Sequence, residues 1–281
     1  MNALPSDRDA RESALRAALE QRILVLDGAT GTAFQAANLG PEDFGGEELE
    51  GCNEILVETR PDVVLDVHRS YLEAGADIVE TNTFGGTPLV LAEYGLGERA
   101  FELNRRAAQL AREACATAGR ERFVCGSMGP TTKAISVTGG VTFEQLRDDY
   151  RTQALGLAAG GADYLLLETC QDTRNVKAGL IGIELALAEL GWRLPVAVSV
   201  TIEPMGTMLG GQEVEALAAS LLHRDRRDLL YVGLNCATGP DQMFDHLRAL
   251  SDICRTRVAC VPNAGLPDED GLYTQTPDDF R

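Results

Sequence analysis

One pattern constrains the fold more than any other. Short, unbroken apolar runs, each ending in Gly, Asn, Thr or an acidic residue, alternate with longer stretches of helical spacing. The runs are ILVLDGATGT (23–32), ADIVETNTFGGT (76–87), FVCGSMGPTT (123–132), ADYLLLETCQD (162–172), PVAVSVTIEP (195–204), LYVGLNCATGP (230–240) and VACVPNAGLP (258–267). Continuous apolar character suits strands buried on both faces, as in a parallel sheet. Between them lie helical patterns such as PDVVLDVHRSYLEAG and TFEQLRDDYRTQALGLAAGG. In the latter, Thr142 with Glu144 and Gln145 marks a helix start, and Gly160–Gly161 its end.

This repeated β-α unit sets the pace of a (β/α)8 barrel of the TIM type. A doubly wound sheet is the alternative. Polar residues gather at the C-terminal ends of the strands, where barrel enzymes keep their sites. DGATGT lacks the glycine spacing of a dinucleotide-binding turn. Both points favour the barrel. The pattern yields seven strands where a closed barrel needs eight. The final TPDDFR reads as a helix start, with Thr276 as N-cap and Pro277 behind it. The expectation is therefore a barrel truncated after strand seven, belonging to a longer natural protein. Residues 1–20 read as an N-terminal helical extension and 21–281 as the barrel, incomplete at its C-terminus.

The formal net charge of −18 and the lack of a basic, aromatic-laced patch argue against nucleic acid and anionic membranes as partners. No run approaches the ~20 apolar residues of a membrane span. The N-terminus lacks the apolar core of a signal peptide. Seven cysteines, an odd number with no CxxC pair, favour a reducing, cytoplasmic setting. The acidic, Gly-rich stretch 40–56 reads equally well as a lid over the barrel mouth or as a solvated loop.

The strand ends bring Asp27, Glu80, Asn82, Ser127, Glu168, Glu203, Asn235 and Cys236 to the mouth. Glu203 precedes a proline and reads as a helix cap or as the partner of an Arg or Lys. Asp27 and Glu168 end fully apolar runs, so each needs a cationic or hydrogen-bonding partner. A substrate ammonium group would serve. The turns GATGT and GSMGPT add backbone N–H groups suited to an anion. Together these features complement an amino acid.

Among the thiols, Cys115, Cys125, Cys254 and Cys260 read as inert packing residues. Cys236 opens a turn at a strand end, and Cys170 is a second thiol near the mouth. A Cys–His nucleophile is disfavoured, because His68, His223 and His246 all fall in helical segments. Zinc needs three or four ligands, and the residues supply no convincing third. DVHRSY (66–71) begins like a cobalamin-binding DxHxxG motif, but Tyr71 stands where glycine is needed. No Walker A loop, HExxH or GxSxG is present.

Taken in order, DGATGT, ETNTFGGT, GSMGPTTK, LLLETCQD, VSVTIEPMGTMLGGQ, GLNCATGP and VPNAGLP resemble the homocysteine S-methyltransferase domain family, closest to its cobalamin-dependent branch. The resemblance covers nearly all of the chain after about residue 20. It implies a zinc-dependent barrel that binds homocysteine as a thiolate and methylates it to methionine. It assigns Cys236 as one zinc ligand, with two adjacent cysteines expected beyond Arg281. It places Asp27, Gly28 and Glu168 around the amino-acid end of the substrate. The implied donor is methylcobalamin on another module, recharged by a folate module of the same longer chain. Relatives use betaine or S-methylmethionine instead. On this reading the chain alone is expected to be inactive. The rival chemistry is a glycosidase-type barrel with Glu80 and Glu168 as paired carboxylates.

Overall fold

A computed structural model of the chain describes residues 5–222, 228–265 and 275–278. Six of the apolar runs form strands: β1 (Ile78–Glu80), β2 (Phe123–Met128), β3 (Tyr164–Cys170), β4 (Val196–Val200), β5 (Leu229–Asn235) and β6 (Arg257–Val261). They make one all-parallel sheet in sequential order from β1 to β6. A doubly wound sheet reverses its strand order at a switch point. This sheet does not, so it is built like the wall of a barrel. Every residue of β2, β4 and β5 is buried, as the unbroken apolar runs require.

The expected first strand is reduced to one bridge, Leu26 to Ile78. Asp77, distant in sequence, accepts the Val25 N–H at 3.1 Å and a fork from Arg22, so a side chain takes one of the run's backbone donors. Ile23 and Val25 stand 89% and 57% exposed, because nothing among the described residues covers their face. At the opposite end β6 is only partly buried. Of the expected seventh helix, Pro277 and Asp278 form a turn, and residues 279–281 lie outside the described residues.

The helices, in chain order, are α1 (Pro5–Gln21), α2 (Thr30–Ala36), α3 (Pro41–Phe44), α4 (Leu56–Thr59), α5 (Pro61–Ala74), α6 (Pro88–Leu91), α7 (Ala100–Ala116), α8 (Phe143–Gly160), α9 (Thr173–Leu190), α10 (Val214–Leu222) and α11 (Pro240–Ile253). Thr142 caps α8 in a reciprocal box with Gln145, and Gly161 ends it at φ 105°. Two glycines let neighbouring helices touch. A Cβ on Gly160 would lie 2.4 Å from the Arg105 carbonyl of α7, and one on Gly182 2.4 Å from the Arg147 carbonyl of α8.

Two apolar layers result. The outer layer joins the helices to outward strand residues such as Leu165, Leu167 and Val198. The inner layer contains Phe123, Tyr164, Leu166, Leu230 and Tyr231, and Leu15 of α1 is buried within it. Arg11 of α1 pairs with Asp163, the residue before β3, at 2.7 Å. Its Arg8 guanidinium lies 3.5 Å over the Trp192 ring. The N-terminal helix thus covers the N-terminal ends of the strands and leaves their C-terminal ends open.

The stretch 40–56 is neither a solvated loop nor a detached lid. It folds into α3 and two short 3-10 turns that bury Phe44, Cys52 and Ile55. Asn82 donates to the Asn53 carbonyl at 2.7 Å, and the Gly85 N–H donates to Glu54 at 2.6 Å. These bonds tie the segment to the turn after β1 as a fixed wall of the mouth.

Candidate functional site

The C-terminal strand ends enclose a cavity of about 620 Å³. Asp27, Gly28, Glu80, Ser127, Glu168, Asn235 and Cys236 all line it, so the structure gathers every residue singled out for substrate or metal. Glu203 is not among its lining residues.

Three carboxylates converge here. Asp27 accepts the Glu80 N–H at 2.9 Å through one oxygen, while its Oδ1 is buried with no partner among the described residues. Burial pushes Asp27 up to about 8, and the Glu168 charge adds to the rise. Glu80 is held well above the usual carboxylate range by burial, then by the charges of Glu168 and Asp27. Glu168 is raised by burial, although Ser127 and Thr169 hydroxyls donate to it and partly offset the effect. Like charges in a low-dielectric cavity favour the protonated forms until a cation joins them. The cluster, with its orphan oxygen, is therefore built for a cationic group.

Gly28 packs closely on Tyr71. A Cβ there would lie 2.8 Å from the Tyr71 ring, which would have to shift, and the Tyr71 hydroxyl donates to the Ala29 carbonyl at 3.2 Å. Tyr71, which broke the DxHxxG pattern, thus braces the DGATGT turn.

Cys236 sits at φ 61° and Ala237 at φ 58°, both left-handed although neither is glycine. The Asn235 amide donates to the Cys236 sulfur at 3.1 Å. Burial raises the thiol, and that hydrogen bond works against the rise. Cys170 corrects its expectation as a mouth thiol. Leu167 pairs with Val198 but Cys170 with Val200, so β3 carries one extra residue at Glu168–Thr169. Strand period alone would place Cys170 on the face of Glu168. The bulge, with Thr169 at φ 52°, turns it into the outer layer instead. Cys260, expected to be packed, is exposed on the edge strand.

Among the described residues no three His, Cys, Asp or Glu side chains are placed to hold a metal ion. Cys236 is a single donor and does not make a metal site by itself.

Sequence reading missed Glu54, Ser199 and Thr169. Glu54 was hidden in a stretch read as lid or loop, yet it lines the cavity with its carboxylate raised by burial. Ser199 lies within an apolar strand and gave no signal. The left-handed Thr169 has no sequence mark, because non-glycine residues adopt that conformation only where tertiary contacts impose it.

Fold and site together define a barrel-wall α/β protein with an acidic cavity and one thiol at its strand C-terminal ends, suited to a small cationic ligand. The homocysteine S-methyltransferase family model matches residues 24–281, and the chain belongs to that family. It is 46% identical over 265 residues to methionine synthase of Mycobacterium tuberculosis, covering 93% of this chain and 22% of that protein. Against methionine synthase of Mycobacterium leprae it is 44% identical over 270 residues, covering 95% and 22%. The chain thus spans about a fifth of the length of these relatives. Crystal structures of the homocysteine methyltransferase MmuM from Escherichia coli share the fold. Its metallated form superposes with a TM-score of 0.73 at 23% identity, covering 89% of this chain and 87% of that one. Its oxidised form gives a TM-score of 0.72 at 24% identity, with coverage of 89% and 85%. No helix among the described residues is long and apolar enough to cross a membrane.

Proposed function

We propose that this chain binds homocysteine and presents its sulfur for methylation to methionine. One observation carries the reading: three carboxylates, Glu168 buried and Asp27 and Glu80 partly so, share a cavity with the Cys236 thiol, and one Asp27 oxygen has no partner among the described residues. The ligand's ammonium group is held by Asp27 and Glu168, with Glu80 adding to the field. Its carboxylate faces the Gly28–Thr32 turn, which lines the same cavity and carries no side-chain cap. Its sulfur lies toward Cys236.

Family membership supports zinc as the metal, with Cys236 as one ligand and the others outside the described residues. Bound zinc would hold a substrate thiol in its deprotonated, nucleophilic form. The chain's own residues orient the amino acid and exclude water from its buried end. The methionine synthase relatives favour methylcobalamin on a separate module as donor, with a folate module to recharge it. Betaine or S-methylmethionine would be the donor in a free-standing variant. A barrel completed to eight strands by further sequence fits the same reading. The glycosidase alternative loses its footing, because Glu80 and Glu168 belong to one cluster with Asp27 rather than to a matched pair.

The test is calorimetric titration of L-homocysteine into the full natural chain and its Glu168→Gln variant. Loss of a charge-assisted bond worth about 1.5–3 kcal/mol should weaken binding by roughly ten- to a hundredfold. Cys236→Ala should retain ammonium recognition but lose bound zinc, read by metal analysis. Equal homocysteine affinity in the wild type and Glu168→Gln would overturn the assignment.

A further inference from the structure

We infer that Asn235 is a positioning residue: it fixes the distance between the Glu168 carboxylate and the Cys236 thiol, and so sets the length of amino acid the cavity accepts. The inference rests on the proposed function above, which places the ligand's ammonium at one of these groups and its sulfur at the other.

The Asn235 side chain is buried, and its amide is fully used. Its Oδ1 accepts the Thr169 N–H at 3.0 Å and the Ser199 hydroxyl at 2.6 Å. Its Nδ2 donates to the Thr169 hydroxyl at 2.7 Å and to the Cys236 sulfur at 3.1 Å. An amide offers two donor protons and an acceptor oxygen with two lone pairs, so none is left over. Although it lines the cavity, Asn235 has no spare polar group for a ligand and must act through its partners.

Those partners are the two ends of the site. The Thr169 hydroxyl that receives the Asn235 proton gives its own to Glu168 Oε2 at 3.5 Å. The Thr169 N–H taken by Oδ1 belongs to the bulge of β3, directly after Glu168. On the other side the same planar amide holds the Cys236 sulfur. Both neighbours it grips, Thr169 and Cys236, sit in left-handed conformations unfavourable to non-glycine residues. Such conformations persist only when surroundings over-determine them. A single rigid group spanning β3, β4 and β5 does this for both ends at once, and their separation follows from its dimensions.

The experiment compares L-homocysteine with L-cysteine, one methylene shorter, by calorimetry on the full natural chain. A cavity of set length should prefer homocysteine by roughly ten- to a hundredfold, the usual worth of one methylene. Asn235→Ala and Thr169→Ala should each narrow that ratio by about tenfold, whereas Thr169→Ser, which keeps the hydroxyl, should preserve it. A clamp that merely supports the fold would lower melting temperature and weaken both ligands alike. An unchanged ratio in the alanine variants therefore overturns the positioning role. Wild-type protein that binds neither amino acid overturns the homocysteine reading beneath it. Should Asn235→Ala fail to fold, the Thr169 pair decides the question.

Discussion

His68 offers the sharpest test of how burial governs this chain. It lies fully buried on α5 beside Val64, Val67 and Leu72, and neither ring nitrogen has a hydrogen-bond partner among the described residues. Burial alone pushes its pKa down to about 4 from 6.5. The folded state therefore keeps the ring neutral, while the unfolded chain takes up a proton below about pH 6.5. Stability is fully present above that pH, declines as pH falls, and stops declining near pH 4, where the folded form protonates too. The shift corresponds to a loss of roughly 3 kcal/mol, most of it reached by pH 4.5. Replacing His68 with Leu removes this dependence and the two orphaned nitrogens while keeping an apolar group of similar size. Urea unfolding at about pH 7.5 and pH 4.5 should show the wild type losing roughly 2–3 kcal/mol more than the variant between the two conditions. The carboxylates titrate in both proteins and cancel in the comparison. Equal losses in the two proteins would refute the argument, since a neutral buried imidazole cannot avoid this linkage.

Two further outcomes follow from the same physics. In the free chain Asp27, Glu80 and Glu168 are all raised, chiefly by burial, whereas a bound ammonium favours their ionised forms. Binding should thus release protons near neutrality, and affinity should climb from about pH 6 toward pH 8. L-Methionine, which has no thiol proton, is the suitable probe, read by calorimetry in buffers of different ionisation enthalpy; zero proton release would contradict the cluster's electrostatics. Gly182→Ala should cost about 1–3 kcal/mol despite alanine's better helix propensity, because the new methyl meets the Arg147 carbonyl. A melting temperature equal to wild type would show that α8 and α9 separate freely.

Much of this protein was legible in one dimension. Unbroken apolar runs announced strands buried on both faces, and the capping box at Thr142 and the glycine after α8 marked helix ends where they stand. Asp27, Glu80, Glu168 and Cys236 were readable as mouth residues because, in parallel β-α units, every strand delivers its last residues to the same end of the sheet. These features depend on local periodicity and on a topology that admits few alternatives.

What the tertiary structure alone decided depends on partners distant in sequence. Cys170 left the cavity because a single extra residue in β3 reversed the strand's alternation. That bulge is stabilised by Asn235, 66 residues from Thr169. In the first apolar run, which keeps one bridge, the Val25 N–H goes to Asp77, 52 residues away. The N-terminal helix became a floor because Asp163 waited for Arg11 across the fold. Local pattern sets which face a side chain would take; hydrogen bonds and ion pairs between distant segments, each able to outweigh a residue's own preference, decide whether it takes it.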